Sequence, residues 1–377
     1  MTTFAPLFVP DEVAAAVSDR AWLAAMLDAE RALATALARL GMIPEGGAAA
    51  VVAKCDSDLF DMDQIAEEGR AVANPAEPLV RALRDQVGEA NAEYVHFGAT
   101  SQDIVDTAAM LVARRTVEVI LEEIAALEEE CARLAEEHRA TPMAARTLLQ
   151  QAVPTTFGYK AALWLAAVRD ARKALEELEF PAQLGGAAGT LASYGARGAE
   201  VPATFATELR LVEPLVPWHT NRTPVAQLAS ALAAAALASG KIGIDVVLLA
   251  QTEIAEVVEA EPGGSSAMPH KRNPVRAVIA RACSRGAQGY VSVLIGGDYE
   301  HERAAGAWQA EWAALSGALA LAGAAVVAAR ECLAGLEVDA GRMRANITED
   351  LTPSEALNLG SAEAFVDRVL AARREPR

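Results

Sequence analysis

Residues 224–258 and 303–336 form two long runs with no internal proline. Each holds a stretch, 229–238 and 313–329, built almost wholly from Ala, Leu, Val and Gly. Ala is the strongest helix former, so both runs read as helices. A helix that is apolar on nearly every face has no side to show to water. Other helices must cover it, from the same chain or from another copy. That requirement restricts the chain to a large helical bundle. Three more helical stretches fit the pattern: residues 107–139, stopped by Pro142; a helix opened by the polar segment 146–156 and reaching residue 178; and residues 274–295. The expected fold is all-α, an elongated bundle of about five long helices flanked by smaller helical domains. Residues 1–105 form the first part, 106–336 the central bundle and 337–377 a shortened C-terminal segment. Within the first, Ser18 and Asp19 open an amphipathic helix over 20–40, ended by Gly41 and Pro44. Within the last, short helices fall near 354–359 and 362–373. Long helices carrying small residues throughout suit a core shared between subunits better than a monomer.

Charge narrows the partners. With 33 basic against 51 acidic side chains the net charge is −18, which argues against a nucleic acid, since phosphate binding needs a basic face. A small anionic substrate is still compatible, because a local cationic pocket can sit in an acidic protein. Cys55, Cys131, Cys283 and Cys332 have no metal-ligand or disulfide spacing. The first residues carry Pro6, Pro10, Asp11 and Glu12 instead of a basic segment, so they do not read as a secretory signal. The most apolar runs are mainly Ala and Gly, too short or too weakly apolar to read as membrane spans. A cytoplasmic protein with no membrane partner is expected. No G-x-G-x-x-G, P-loop or H-E-x-x-H pattern occurs, His301-Glu302 lacking the second His, so no metal or other cofactor is implied.

Chemistry concentrates in one loop, Gly263-Gly264-Ser265-Ser266-Ala267-Met268-Pro269-His270-Lys271-Arg272-Asn273-Pro274. Two glycines free its backbone, and two hydroxyls, an imidazole, an ammonium and a guanidinium follow. Asn273 and Pro274 read as N-cap and first residue of the next helix, whose free N–H groups would face an anion. Two more polar knots precede long helices. One is Tyr94-Val95-His96-Phe97-Gly98-Ala99-Thr100-Ser101-Gln102-Asp103, whose Thr-Ser-x-Asp end reads as a helix start. The other is Arg146-Thr147-Leu148-Leu149-Gln150-Gln151-Ala152. A smaller knot, Trp218-His219-Thr220-Asn221-Arg222, precedes the third long helix.

The loop resembles the Ser-Ser-x-Met-Pro-x-Lys-x-Asn signature of the fumarase/aspartase superfamily, whose members eliminate across a C–C bond flanked by carboxylates. The resemblance covers about residues 10–360. It implies that the three knots meet at sites assembled from three subunits of a homotetramer. Among branches, Gly-Ala-Thr-Ser-Gln-Asp, Arg-Thr-Leu-Leu-Gln-Gln-Ala, Trp-His-Thr-Asn-Arg and His-Glu-Arg-Ala-Ala-Gly-Ala-Trp-Gln-Ala-Glu-Trp most resemble the 3-carboxy-cis,cis-muconate cycloisomerases of protocatechuate breakdown. These act without a cofactor and interconvert the open tricarboxylate with 4-carboxymuconolactone. Ser265 then matches the catalytic base. Lys271 stabilises its alkoxide and, with Asn273, matches positions that bind substrate carboxylate. Thr100 and Ser101 match carboxylate-binding positions, and His96 a His near the substrate. Ser266, Met268, Thr147, Gln151, His219, Arg222, His270 and Arg303 complete the expected substrate-binding set.

Two positions bear on the branch. Superfamily lyases that release an amine carry a His, assigned as general acid, directly after the Thr of the second knot; here Leu148 stands there. An amine needs a proton to depart, whereas a carboxylate of pKa about 4 does not. Succinyl-transferring relatives also carry an Arg where this chain has Trp312. A fumarate-releasing enzyme such as adenylosuccinate lyase and a catalytically silent helical scaffold are the alternatives.

Overall fold

The computed structural model describes residues 4–264, 266–268, 270–297, 299–348 and 357–374. Five short or medium helices come first: α1 (Asp11–Ala16), α2 (Asp19–Arg39), α3 (Glu45–Val52), α4 (Met62–Gly69) and α5 (Ala76–Val87). Then come α6 (Ser101–Glu137), strands β1 (Pro142–Thr147) and β2 (Gln150–Thr156), α7 (Phe157–Glu176) and α8 (Val201–Leu209). The second half holds α9 (Thr223–Leu249), β3 (Val257–Val258), α10 (Val275–Ile295), α11 (Ala307–Leu333), β4 (Glu337–Val338), α12 (Ala340–Ala345) and α13 (Ala362–Arg374). The all-α expectation holds, with two small two-stranded sheets, β1–β2 and β3–β4, added to it.

The bundle is α6, α7, α9, α10 and α11, with α2 laid against α6. At about 1.5 Å per residue the 37-residue α6 spans about 55 Å, so it sets the length of the molecule. Its Leu111, Ile120, Ile124, Leu127 and Leu134 are fully enclosed, as are Trp164 of α7, Leu232 and Ile242 of α9, and Leu319 and Val326 of α11. Small residues let α9 and α10 approach closely. A Cβ on Gly240 would stand 2.4 Å from Ser284 Oγ, and one on Gly243 would stand 2.6 Å from the Ala277 carbonyl oxygen. Both α9 and α11 are long and apolar enough to cross a membrane, yet here they are core helices, with 72% of the most apolar stretch of α11 buried. The outward faces of α9 and α10 still expose Leu237, Val278, Val293 and Ile295. All four cysteines are free and buried, and burial pushes the Cys55 thiol up to about 12.

Four local expectations need correction. The long helix expected over 107–139 is α6, and it begins six residues earlier, at Ser101. The segment 146–156 does not run straight into a helix. It is the outer part of an antiparallel hairpin pairing Met143 with Thr155 and Thr147 with Gln150, bulged between Ala144 and Arg146. Pro142 and Pro154 disfavour helix there, and Thr and Val accept extended backbone. Helix α9 stops at Leu249, not near 258: Ala255 takes φ 51, and the chain turns to send Glu256 inward. Helix α10 begins one residue late, with Pro274 at the cap position, whose own side chain cannot cap it.

Candidate active site

The sequence-selected residues fall into two groups, at opposite ends of α6. The first surrounds its N-terminus. Thr100 is the N-cap, and Asp103 closes a capping box by accepting from the Thr100 N–H at 3.0 Å. The Asp103 carboxylate also accepts from the backbone N–H groups of Gly185 and Gly186, each at 2.9 Å, and from His219 Nε2 at 2.7 Å. Four donors on one enclosed carboxylate fix the loop after α7 against the start of α6. His219 is thereby buried, and its backbone oxygen accepts from Gln102 Nε2 at 2.8 Å.

Arg222 lies directly behind. Its guanidinium donates to Asp106 through Nη1 (2.7 Å) and Nη2 (3.0 Å), and to Glu311 through Nε (3.0 Å) and Nη2 (2.5 Å). Burial alone would loosen its proton, but Asp106 and Glu311 outweigh that and hold it above the ordinary arginine range. Trp308 Nε1 donates to Asp106 at 2.9 Å, and the Tyr299 hydroxyl donates to Glu311 at 2.5 Å. Burial and then Glu311 push that hydroxyl upward. Arg222 therefore joins the starts of α6, α9 and α11, with Nε, both N–H groups of Nη2 and one of Nη1 spent on protein carboxylates. Arg303 donates to the Gly186 and Ala187 carbonyls at 2.7 and 3.1 Å, next to Gln102. His96, in the left-handed region at φ 59, places Nδ1 2.6 Å from Glu30 Oε1. Ser101 is the first residue of α6.

The second group lies at the far end. Arg146 makes a two-pronged ion pair with the buried Glu256, at 2.7 and 3.0 Å, and Asn346 adds a bond to the same carboxylate. This pair ties the hairpin to the segment that leads into the loop. Ser265 and Pro269 lie outside the described residues. Gly263 and Asn273 close the loop with two backbone hydrogen bonds of 2.9 Å, and Asn273 Nδ2 donates to the Gly264 carbonyl at 3.2 Å. Ser266, Met268, His270 and Lys271 are exposed on it. The expected anion-binding helix start is already filled from within. The carboxylate of the buried Glu259 accepts the N–H groups of Arg276 (3.1 Å) and Ala277 (2.7 Å) of α10.

The hairpin tip projects into solvent. Leu148 is 96% exposed and Leu149 is 76% exposed, with Thr147 and Gln151 exposed beside them. Both leucines have positive φ, 51° and 64°, a two-residue turn that favours Asn-Gly. Among the described residues no group of three His, Cys, Asp or Glu is placed to hold a metal.

Several residues of this constellation were not singled out by sequence: Glu30, Asp106, Glu256, Glu259 and Glu311. Glu30 carried a signal. It occupies the apolar stripe of α2, four residues after Met26 and three before Leu33, where a charge needs a partner.

A family model described as a lyase matches residues 9–289. A nitrosuccinate lyase of Streptomyces davaonensis is 47% identical, over 94% of this chain and 78% of its own length. A 3-carboxy-cis,cis-muconate cycloisomerase of Pseudomonas aeruginosa is 44% identical, over 95% and 81%. The solved structure of a 3-carboxy-cis,cis-muconate lactonizing enzyme from Pseudomonas putida superposes with a TM-score of 0.90 at 33% identity, covering 98% of each chain.

Proposed function

The chain belongs to the lyase family of fumarase/aspartase type, and from that premise we propose that it interconverts 3-carboxy-cis,cis-muconate and 4-carboxymuconolactone. The observation that carries this reading is the hairpin tip. Where amine-releasing relatives hold a histidine acid, Leu148 offers no proton. A leaving group must then depart as an anion. The lactone's ring carboxylate does so, with a pKa of about 4 in its free acid.

In the muconate-forming direction Ser265 removes the proton from the carbon next to a carboxylate. The electron pair moves into that carboxylate as an aci-carboxylate, then forms the new double bond as the ring C–O bond breaks. In the lactonising direction the freed carboxylate attacks and Ser265 returns the proton. Lys271 and the loop's backbone N–H groups stabilise the serine alkoxide. Lys271, Asn273, Thr100, Ser101 and His96 bind the carboxylates.

This chemistry needs both groups, yet a single chain holds them at opposite ends of a helix about 55 Å long. A homotetramer of antiparallel copies joins one chain's loop to another's α6 start. The apolar outer faces of α9 and α10 supply surface for that assembly.

A second reading rests on the 47% identity to a nitrosuccinate lyase. Nitrite also departs as an anion, so elimination from nitrosuccinate satisfies the same Leu148 constraint. The deciding experiment follows the diene's ultraviolet absorbance with 3-carboxy-cis,cis-muconate. Parallel reactions monitor nitrite from nitrosuccinate and fumarate from adenylosuccinate and argininosuccinate. Turnover of the muconate alone supports the first reading, and nitrite alone transfers the assignment to the second. Fumarate release from either succinyl-amine overturns the argument from Leu148.

A further inference from the structure

Glu30 is a carboxylate in the wrong place for a purely structural residue. It sits on the buried stripe of α2, its side chain fully enclosed. One oxygen meets His96 Nδ1 at 2.6 Å, and the other, Oε2, is buried with no hydrogen-bond partner. Leaving a buried carboxylate oxygen unpaired is destabilising, and an apolar pair of similar volume would serve a core at least as well. His96 is bent into the left-handed region to reach it, a conformation uncommon for a residue with a side chain. With Nδ1 taken by Glu30, the ring has Nε2 left, four residues before the Thr100 cap.

We propose that Glu30 is a positioning residue that holds His96 as an imidazolium, so that its Nε2–H binds a carboxylate of the substrate at the start of α6. The inference deepens the proposed function and rests on reading the first knot as carboxylate-binding.

The groups facing His96 agree with this role. Glu30 faces it from α2, Asp103 from α6 and Arg84 from α5. The hydroxyl of Tyr194, held by the Phe97 carbonyl at 2.8 Å, lies close by. Burial alone would lower the proton affinity of His96, and Arg84 acts in the same direction. Glu30 and then Asp103 outweigh both, and the net shift is upward. Burial keeps the Tyr194 hydroxyl neutral, so it contributes no charge of its own and the balance is set by Glu30, Asp103 and Arg84.

The test uses the full-length protein with ¹³C-labelled histidine. The chain has five histidines, so the His96 signal is assigned by its loss in His96→Asn. The Cε1 resonance is titrated in wild type and in Glu30→Gln, which keeps the shape and the acceptor but removes the charge. The wild-type midpoint is expected above the ordinary histidine value of about 6.5. In Glu30→Gln it drops below that value, because burial is then less opposed. In parallel, calorimetry measures binding of propane-1,2,3-tricarboxylate at pH 6 and pH 8. The variant should bind within about threefold of wild type at pH 6 and at least about tenfold more weakly at pH 8, one decade being about 1.4 kcal/mol. An unmoved midpoint overturns the role of Glu30. A moved midpoint with an unchanged pH dependence of binding overturns the contact between His96 and the ligand. Failure of wild type to bind the tricarboxylate at either pH overturns the carboxylate reading of the knot, while the midpoint still decides what Glu30 does.

Discussion

The two ends of α6 solve opposite problems with similar residue types. At its start, Asp103, Asp106, His219, Arg222 and Glu311 are buried, and each is matched to a partner. At the far end, His270, Lys271 and Arg272 are exposed on a loop closed by the Gly263–Asn273 bridge. Charges enclosed this way have low tolerance for change, because the low-dielectric interior magnifies any lost partner. Charges on an exposed loop contribute little to folding and are available for a ligand. On the proposed reading the first end is a rigid receiving surface, and the second is the part that acts.

The largest effect should come from Arg222→Met. It leaves Asp106 and Glu311 buried without their shared cation, a change that costs about 3–5 kcal/mol when one member of a buried ion pair is removed. Urea unfolding should show the midpoint falling by that equivalent. A loss below about 1 kcal/mol would mean the cluster is hydrated and the contrast between the ends is weaker than drawn.

Lys271→Ala tests the other side of the comparison. Turnover of the best substrate should fall about 10²–10³-fold, as for removal of one donor to a developing oxyanion. Stability should stay within about 0.5 kcal/mol, as for an exposed position. A stability loss matching that of Arg222→Met would place Lys271 in the framework instead of the chemistry.

How far the sequence disclosed this contrast depends on the period of each element. The all-round apolar runs marked α9 and α11, and the Thr-Ser-x-Asp string marked a helix start where α6 begins, although the long apolar pattern itself reads only from 107. The hairpin was missed because its strands lack clean alternation and its turn carries Leu-Leu in place of Asn-Gly. The start of α10 was read as open to an anion because Glu259 lies fourteen residues before Asn273, beyond any local capping pattern. Arg222 was readable only as a cation, since its partners are 116 and 89 residues away. Local signals disclosed helices and the polar knots; long-range pairing decided which polar groups are spent inside.

The leucine turn gives a smaller effect with opposite signs at its two readouts. Holding an L-residue in the left-handed region is unfavourable by about 1–2 kcal/mol per residue, and Asn-Gly relieves it. Leu148→Asn with Leu149→Gly should raise the thermal unfolding midpoint while lowering turnover, if the tip enters a neighbouring copy's site. Unchanged turnover would detach the hairpin from the chemistry. An unchanged midpoint would mean that the turn stores no strain.

The smallest effect is a pH dependence of stability at the receiving end. The folded-state proton affinity of His96 is raised, against an ordinary value of about 6.5 in the unfolded chain. Protons then bind more readily to the native state across the interval between the two values, so stability falls as pH rises through it. The contribution is complete below the unfolded value and lost once pH passes the folded one. Glu30→Gln removes the main cause of the upward shift. Urea midpoints of wild type and this variant should therefore differ most in favour of wild type at pH 6, with the gap narrowing by pH 9. No comparable slope should follow Lys271→Ala, whose ammonium is exposed at the opposite end. A gap that widens with pH would reverse the sign assigned to the pair. It would leave Glu30 as a buried charge that the fold tolerates without holding a proton on His96.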